Sequence, residues 1–460
     1  MHSLFKKGLP ALLGLTLVAA PTLTGAAAPA APANAPSTAS APAVGTAKNV
    51  IFLIGDGMGP SYTTAYRYMK DKKSTPLMEK TAFDSYLVGA QTTYPEDEHQ
   101  NITDSASAAT AMSSAVKTYN AAIAVDNDKT EVKTVLEQAK ENGMSTGLVA
   151  TSEITHATPA AFGAHDLSRK NMDAIADDYF DEMIGGKHKI DVLLGGGKSN
   201  FVRKDRDLTA EFKKAGFGYV TDRKSLLANK DQQLLGLFAD GGLDEMIDRT
   251  SAAPSLKEMT NAAIDRLSDN DQGFFLMVEG SQIDWAGHDN DIVGAMSEME
   301  DFEGAFQAAI DFAKKDGNTL VVATADHSTG GLSLGANGEY NFDVAPIKAA
   351  VHTPDYMAAK IAAGESVDSV LKKNIKLKLT AEERASVKKA AAGKDVTTID
   401  NAIEAIFNTR SFTGWTTGGH TGEDVQVYAY GPSSQRFAGL IDNTDNAKII
   451  FELLGSKPTR

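Results

Sequence analysis

Carboxylates and imidazoles follow several apolar stretches of this sequence. Asp56 follows "VIFLIG", Glu279 comes at the end of "FFLMV", and the pair Asp326 and His327 follows "VVATA". A single aspartate between two glycines is also ordinary turn chemistry, so Asp56 alone proves little. Mixed carboxylate and imidazole ligands suit zinc, whereas sets of oxygen ligands suit magnesium. The repetition of such groups after successive apolar runs therefore indicates a site for divalent cations.

Two further stretches supply groups of the same kind. Asp284 and His288, in "GSQIDWAGH", are four residues apart and would share one face of a helix. His420 stands between Gly419 and Thr421, in a loop of residues too small to pack an imidazole for its own sake. Each feature alone is also typical of a helix cap or a surface histidine. Together with the strand-end groups they exceed what turn chemistry supplies, and we interpret them as metal ligands.

A serine and an arginine add candidate groups for an anion. The stretch "TDSASAATAMSSAVK" predicts a helix that is capped by Thr103 or Asp104 and has Ser105 in its first turn. Small residues also suit a helix that packs closely on a sheet, but a helix N-terminus favours anions through its free N–H groups and its dipole. Arg169 is either a surface ion-pair partner or a bidentate clamp for a phosphate. The residues "THATPAAFGAH" add a hydroxyl at Thr158 and imidazoles at His156 and His165.

Three stretches imitate other ligand-binding motifs without completing them. "GDGMGP" has Pro60 where a dinucleotide fingerprint needs its last glycine, and "VLLGGGKS" has Val192 where a P-loop needs its first. "DNDIVG" has Val293 where a calcium loop needs an oxygen ligand. We therefore exclude all three motifs.

The elements that must position these residues are strands and helices in alternation. The strand-like runs are "NVIFLIG", "STGLVAT", "IDVLLGGG", "GFFLMVEG", "TLVVATAD" and "VQVYAYG". Continuous apolar strands separated by helical patterns predict an α/β fold, with a mainly parallel central sheet flanked by helices on both faces. Ligands gather at the carboxyl edge of such a sheet, where the candidate residues would meet. We predict one catalytic domain over residues 48–455, with a polar helical insertion at 335–417.

The pattern of the first residues predicts an export signal followed by an extended tether. Lys6 and Lys7 precede a short apolar stretch and then small residues, which predicts a secretory signal peptide at 1–26 rather than a transmembrane segment. Residues 27–47 are rich in alanine and proline and predict an extended tether. The sequence thus predicts a secreted or periplasmic protein. Whether the tether stays attached is left open.

Composition excludes several classes of function. The chain of 460 residues contains no cysteine, so it has neither thiol chemistry nor disulfides. Its 45 Lys and Arg residues against 60 Asp and Glu residues give a formal net charge of −15. Such a surface repels nucleic acid, so we predict no nucleic-acid-binding surface.

The motifs taken together resemble one family. "DGMG", "DSASAATA", "THATPAAFGAH", "VEGSQIDWAGH", "TADHSTGG" and "GGHTGEDVQVYAYGP" occur in this order, and from Lys48 to the C-terminus the chain resembles the bacterial alkaline phosphatases. The resemblance implies hydrolysis of small-molecule phosphate monoesters through a phosphoserine intermediate, two zinc ions and one magnesium ion, a homodimer, and a crown-like inserted segment.

The resemblance also implies a role for each matching residue. Ser105 matches the nucleophile and Arg169 the arginine that binds phosphate. The first zinc would take Asp284, His288 and His420. The second would take Asp56, Asp326 and His327, and the magnesium ion would take Asp56, Thr158 and Glu279.

Two positions depart from the enterobacterial pattern, and other functions on the same scaffold remain open. His156 stands where that form has an aspartate, and Trp285, which would line the substrate site, stands where it has a lysine. The occupant of the third metal site is therefore left open, with His156 near it. A phosphodiesterase, a sulfatase and a non-catalytic secreted protein that binds metal or phosphate are the alternatives. Sulfatases usually derive their nucleophile from cysteine, which this chain lacks.

Overall fold

The computed structural model of the chain describes residues 47–72 and 74–458. The predicted signal peptide and all but the last residue of the predicted tether lie outside the described residues. No helix in the described part of the chain combines the length and the apolar character needed to cross a bilayer.

The described residues form sixteen strands and seventeen α-helices. The strands are β1 (Asn49–Gly55), β2 (Leu87–Thr92), β3 (Ser145–Glu153), β4 (Met183–Ile184), β5 (Lys187–His188), β6 (Val192–Gly196), β7 (Gly218–Val220), β8 (Leu234–Leu237), β9 (Phe274–Gly280), β10 (Thr319–Thr324), β11 (Ser328–Thr329), β12 (Ser333–Leu334), β13 (Thr413–Gly414), β14 (His420–Thr421), β15 (Val425–Tyr430) and β16 (Gly439–Asp442). The helices are α1 (Pro60–Lys70), α2 (Ser105–Ser114), α3 (Val135–Glu141), α4 (Ala157–Gly163), α5 (Met172–Asp181), α6 (Lys198–Phe201), α7 (Leu208–Lys214), α8 (Arg223–Ala228), α9 (Leu256–Leu267), α10 (Gln282–Asp289), α11 (Ile292–Asp316), α12 (Ala345–Lys348), α13 (Pro354–Ala362), α14 (Val367–Asn374), α15 (Ala381–Ala391), α16 (Val396–Ser411) and α17 (Thr444–Leu453).

Ten of the strands form one sheet in the order β16-β2-β15-β10-β1-β9-β3-β6-β8-β7. Neighbouring strands are parallel except at β15, which runs antiparallel to β10 on one side and to β2 on the other. The predicted mainly parallel sheet is therefore confirmed. The reversed direction of β15 was not predicted, because an apolar run has the same composition in either direction.

The sheet divides the interior into two apolar layers. Along β1 every residue is buried, and its side chains alternate between the layers, as the two-residue period of a strand requires. Ile51 and Leu53 pack with α9 and α11, whereas Val50, Phe52 and Ile54 pack with residues of α2, α4 and α17. Helices thus cover both faces, which confirms the predicted α/β fold and explains why its strands read as continuous apolar runs.

The segment between β12 and β13 is helical, and its two ends lie next to each other. β12 pairs antiparallel with β13, so the chain departs and returns side by side. Between these strands lie the helices α12 to α16, whose apolar faces join the layer that contains α11. The limits predicted for an insertion, residues 335–417, stay a prediction.

Candidate active site

Three adjacent strands bring candidate residues to one edge of the sheet. In the order β10-β1-β9-β3, Asp326 lies two residues beyond β10 and Asp56 follows β1 directly. Glu279, near the end of β9, lies opposite Ile54 of β1 and Ala150 of β3. Because these strands are parallel, their carboxyl ends share one edge, as the sequence predicted.

The antiparallel strand β15 brings His420 to the same edge. Since β15 runs opposite to β10, the residues that precede β15 lie beyond the carboxyl end of β10. A two-residue ladder then pairs Thr329 of β11 with His420 of β14. The His420 ring stacks on that of His327, with ring centroids 3.5 Å apart.

Asp284, His288 and His420 form one group of converging ligand atoms. The carboxylate of Asp284 lies 3.3 Å from His288 Nε2 and 3.5 Å from His420 Nε2, and the two Nε2 atoms are 3.1 Å apart. His288 Nδ1 donates to the carbonyl of Gly418, and His420 Nδ1 donates to that of Thr103, each at 2.8 Å. This hydrogen bonding assigns the proton of each ring to Nδ1 and leaves both Nε2 lone pairs facing Asp284. Lone pairs so close together repel one another unless a metal ion or a proton lies between them.

Asp56, Asp326 and His327 form a second, fully buried group. His327 Nε2 lies 3.2 Å from Asp326 and 3.5 Å from Asp56. Thr329 donates its hydroxyl proton to Asp284, so it accepts from His327 Nδ1, at 3.3 Å. The ring of His327 therefore also presents an Nε2 lone pair to the carboxylates.

Asp56, His156 and Glu279 form a third group. Glu279 accepts hydrogen bonds from the hydroxyls of Ser281 and Ser152 through one oxygen, and its other oxygen has no partner within the described structure. The hydroxyl oxygen of Thr158, which lies near Glu279, is also buried without a hydrogen-bond partner among the described residues. The oxygens in this group suit a hard cation such as magnesium.

The buried carboxylates repel one another strongly in the absence of cations. Burial, together with the charges of Asp326 and Asp284, raises the pKa of Asp56 well above its usual value. Burial raises the pKa of Asp326 and that of Glu279 to about 7 each. For Asp284 burial acts in the same direction, but the hydrogen bond with His288 and the nearby imidazoles outweigh it and lower the pKa. When no metal ion is bound, a proton on His288 Nε2 can lie between this ring and Asp284, and the resulting hydrogen bond raises the pKa of His288 to about 9.

Ser105 begins the helix α2 and faces these groups. Asp104 caps the helix by accepting a hydrogen bond from the Ser107 backbone N–H, as one of the two predicted caps. The Ser105 side chain is buried, and its Oγ lies 3.2 Å from His327 Nε2. The helix N-terminus thus places a hydroxyl next to the second group of ligands.

Arg169 reaches the same region and is held by two neighbours. Its Nη1 donates to Asp104 at 3.0 Å, and its Nη2 donates to His156 Nε2 at 3.1 Å. His156 therefore accepts through Nε2 and carries its proton on Nδ1. Burial, with the charge of Arg169, lowers the pKa of His156 to about 3, so this ring is neutral. Trp285 meets the His156 ring edge-on, with centroids 5.9 Å apart.

Unpartnered buried oxygens make the strongest case that these groups hold cations. Both oxygens of Asp56, one oxygen each of Asp326 and Glu279, and the hydroxyl of Thr158 have no hydrogen-bond partner among the described residues. A buried carboxylate left without partners costs several kcal/mol, so such oxygens are retained where they bind a metal. Carboxylate with imidazole, the donor set of the first two groups, fits zinc, whereas the oxygens of Asp56, Glu279 and Thr158 fit magnesium.

One residue suggested by the sequence, His165, lies outside the site, and one that was not suggested, Thr329, lies in it. His165 lies elsewhere, where its Nε2 contacts the carbonyl of Val132 and is 3.6 Å from Glu137. Thr329, which the sequence did not single out, links the first two groups by bonding to both Asp284 and His327. A lone hydroxyl two residues after a histidine has no spacing signature, so no sequence signal could have identified it.

The fold and the site define an α/β protein with three groups of possible metal ligands at the carboxyl edge of its sheet, beside a serine at a helix N-terminus. Comparison with known proteins identifies the family. The family model described as "Alkaline phosphatase" matches residues 47–456. Alkaline phosphatase 3 of Bacillus subtilis (strain 168) is 72% identical over 410 residues, which cover 88% of this chain and 89% of that protein.

Less similar proteins that match this chain are also alkaline phosphatases. The alkaline phosphatase of Escherichia coli (strain K12) is 32% identical, and the match covers 89% of this chain and 87% of that one. The crystal structure of a cold-active alkaline phosphatase from Shewanella sp. superposes with a TM-score of 0.83 at 42% identity, covering 88% of this chain and 99% of that one. The chain belongs to the alkaline phosphatase family. It is a phosphatase, and the family supports metal-dependent hydrolysis of phosphate monoesters.

Proposed function

We propose that this enzyme hydrolyses phosphate monoesters at a site for two zinc ions and one magnesium ion, through a phosphoserine formed on Ser105. The observation that carries the proposal is the position of Ser105 Oγ, 3.2 Å from an imidazole nitrogen that also faces two buried carboxylates. A potential nucleophile therefore lies beside metal-binding types of side chain, several of whose oxygens have no hydrogen-bond partner among the described residues.

The ligand sets follow the three groups described above. Asp284, His288 and His420 would hold the first zinc, while Asp326 and His327, with Asp56, would hold the second. Asp56 also faces the third group, where Glu279 and Thr158 would hold magnesium. When bound, these ions supply the positive charge that attracts a phosphate dianion, favours the alkoxide of Ser105 and stabilises the departing oxygen.

Ser105 performs the first step as the nucleophile. Its Oγ forms a bond to phosphorus as the bond between phosphorus and the ester oxygen breaks, in line with the attack. The net transfer of the serine proton to the departing alkoxide balances the step and releases the alcohol. The enzyme is left as a phosphoserine.

Water completes the cycle in the second step. Its oxygen forms a bond to phosphorus from the side that the alcohol has vacated, the bond to Ser105 Oγ breaks, and the serine regains a proton. Inorganic phosphate then leaves. Attack from opposite sides in the two steps requires that the phosphoryl group stay fixed in orientation.

Arg169 supplies that orientation. Its guanidinium can donate two parallel hydrogen bonds to phosphate oxygens, and Asp104 and His156 hold it in place. The neutral His156 can accept from the guanidinium, which an imidazolium could not do. Trp285 packs against His156, and we assign it to the substrate side of the site as an apolar wall.

Metal analysis combined with turnover tests the proposal. We expect about two zinc ions and one magnesium ion per chain, loss of p-nitrophenyl phosphate hydrolysis on chelation, and recovery when both metals are returned. Acid quenching with labelled phosphate should trap a phosphoserine at Ser105. Retained turnover in a verified metal-free protein would refute the metal mechanism. Faster turnover of a phosphodiester or a sulfate ester would favour the alternative activities on this scaffold.

We further propose that residues 1–26 direct export of the enzyme. The proposal rests on the sequence pattern of basic, apolar and small residues. Expression of the full chain should yield a mature protein outside the cytoplasm that lacks this segment. An N-terminus still at Met1 in active protein would contradict it.

A further inference from the structure

A second cluster of carboxylates lies outside the phosphatase site, where the helical segment between β12 and β13 meets the body of the protein. It consists of Asp289 at the end of α10, Asp355 on α13, and Asp400 and Glu404 on α16. We call these four residues the α10–α16 cluster. One oxygen from each of Asp289, Asp355 and Asp400 lies within 4.8 Å of the other two. Ligand atoms around one calcium ion span at most about twice the calcium–oxygen distance, roughly 5 Å, so the spacing suits a single ion.

Two members of the α10–α16 cluster are buried, and each has one oxygen without a hydrogen-bond partner. Asp400 is 1% exposed and Glu404 is 4% exposed. Oδ1 of Asp400 and Oε1 of Glu404 have no partner among the described residues. The two residues are four apart on α16 and so lie on one face of that helix. A solvated acidic surface would not leave carboxylate oxygens buried and unpaired.

No positive side chain in the described part of the chain neutralises the α10–α16 cluster. The charged groups that act on Asp400 and Glu404 are all aspartates, and burial and their repulsion raise the two pKa values to about 9 and about 10. The neighbouring Asp291 adds further negative charge, although its own oxygens are occupied by the N–H groups of Val293 and Gly294.

We propose that the α10–α16 cluster binds a hard divalent cation, a fourth metal site of this enzyme, and that calcium suits it best. All its ligands are carboxylate oxygens, which favour calcium or magnesium over zinc. The ligands come from three separate helices, and calcium accepts such irregular sets more readily than magnesium does. Asp355 is exposed and opens the cluster to solvent, which gives an ion a route of entry.

The site explains why the calcium-loop motif is incomplete in the sequence. "DNDIVG" lacks an oxygen ligand at Val293 and cannot form a calcium loop by itself. In the structure Asp289, from the same stretch, joins carboxylates that lie 66 and 111 residues further along the chain. The ligand set is therefore discontinuous, and no local pattern could reveal it.

A cation here ties the helical segment to a ligand of the phosphatase site. Asp289 directly follows His288, and Asn408 of α16 donates to the carbonyl of Asn290 at 2.9 Å. The ion joins α16 and α13 to the end of α10 at this point. Loss of the ion would leave mutually repelling carboxylates in the same interface, so the main effect is on stability.

Calcium uptake and thermal melting test the proposal in the zinc- and magnesium-loaded protein. After equilibration with calcium and desalting, wild type should retain one more calcium ion per chain than Asp400→Asn. Calcium should raise the melting temperature of wild type by roughly 5 °C at a hundredfold excess over the dissociation constant. The same addition should leave the melting temperature of Asp400→Asn unchanged. A parallel titration with magnesium decides which of the two ions the site prefers.

Two further variants make the result decisive. Asp355→Asn changes an exposed residue, so it should fold normally and also lose the extra calcium. Glu382→Gln changes an exposed carboxylate of the same helical segment and should keep it. Equal uptake of both ions by wild type, Asp400→Asn and Asp355→Asn would overturn the proposal and show that shared protons neutralise the cluster. These readouts do not depend on turnover, so they remain separate from the proposed catalytic mechanism.

Discussion

Three histidines of the active site share one hydrogen-bonding arrangement. His288 and His420 donate from Nδ1 to backbone carbonyls, and His327 donates from Nδ1 to the hydroxyl of Thr329. Every ring therefore presents its Nε2 lone pair to the carboxylates. The backbone and one hydroxyl thus fix which nitrogen of each ring is available to a metal ion.

Replacement of Ser105 with alanine tests the covalent route. Without Oγ no phosphoserine can form, so kcat should fall at least roughly a thousandfold. Ser105 is not in the proposed metal-ligand sets, so zinc and magnesium contents should stay near those of wild type. Turnover of p-nitrophenyl phosphate and metal analysis of the same sample check both expectations. Near-normal turnover in Ser105→Ala would exclude this serine as the nucleophile.

Replacement of Arg169 with alanine should have a smaller effect. The change removes charge-assisted hydrogen bonds worth about 1.5 to 3 kcal/mol, which corresponds to a loss of about 10- to 150-fold in kcat/KM. Asp104 keeps its bonds from the N–H groups of Ser107 and Ala121, so the cap of α2 should survive. Inhibition by inorganic phosphate should weaken in parallel.

The neighbouring exposed Lys170 provides the matched control for Arg169. Lys170→Ala removes the same charge one residue further along and should leave both kcat/KM and phosphate inhibition unchanged. If Arg169→Ala were as inactive as Ser105→Ala while retaining its metals, the assignment of Arg169 to phosphate binding alone would be wrong.

At the scale of elements, the turn after β1 lies in close contact with α10 and β11, which carry Asp284 and Thr329. Gly57 has φ of +70°, and a Cβ atom there would lie 2.6 Å from Thr329 Oγ1 and 2.8 Å from Asp284 Cα. Its N–H donates to Asp326. Only glycine fits both the backbone angle and the space, so this residue allows the first two ligand groups to approach each other.

Gly57→Ala should therefore disturb metal binding as well as stability. We expect a fall of several degrees in melting temperature together with a reduced zinc content. Gly317→Ala is the control, because Gly317 has φ of +77° with open space around its Cβ position. The control incurs only the backbone strain of about 1 kcal/mol and should keep its zinc. Normal zinc content in Gly57→Ala would contradict the close approach as its function.

At the scale of the whole molecule, the described fold is stabilised by packing rather than by disulfide cross-links. It has no cysteine, and its net charge is −15. The two apolar layers on either side of the sheet supply the packing. The proposed cations would offset carboxylates buried at the active site and in the α10–α16 cluster.

We propose that the enzyme is a homodimer in which the segment 335–417 contributes to the interface or covers the active site. Tyr340, in this segment, has a fully exposed side chain. Light scattering at micromolar concentration should give twice the mass of one chain, and Tyr340→Asp should shift the protein towards the mass of one chain. A single-chain mass for the wild type would count against the dimer.

The amino-acid sequence alone determines the types of element and the types of ligand. A strand that is buried on both faces of a parallel sheet is mostly apolar, so "NVIFLIG" and "GFFLMVEG" are recognisable as strands from their composition. A carboxylate or imidazole that follows such a strand lies at the carboxyl edge whatever the rest of the fold does. The sequence is therefore sufficient to assign Asp56, Glu279, Asp326 and His327 to one region.

How residues from distant segments combine is decided by tertiary structure. The reversed direction of β15 places His420 beside His327, and hydrogen bonding to Arg169 fixes the neutral form of His156. Asp289, Asp355 and Asp400 meet only because α13 and α16 fold back onto the end of α10. The direction of a strand, the tautomer of a histidine and the members of a carboxylate cluster depend on contacts between distant segments. Such contacts produce no periodic pattern or fixed spacing in the sequence.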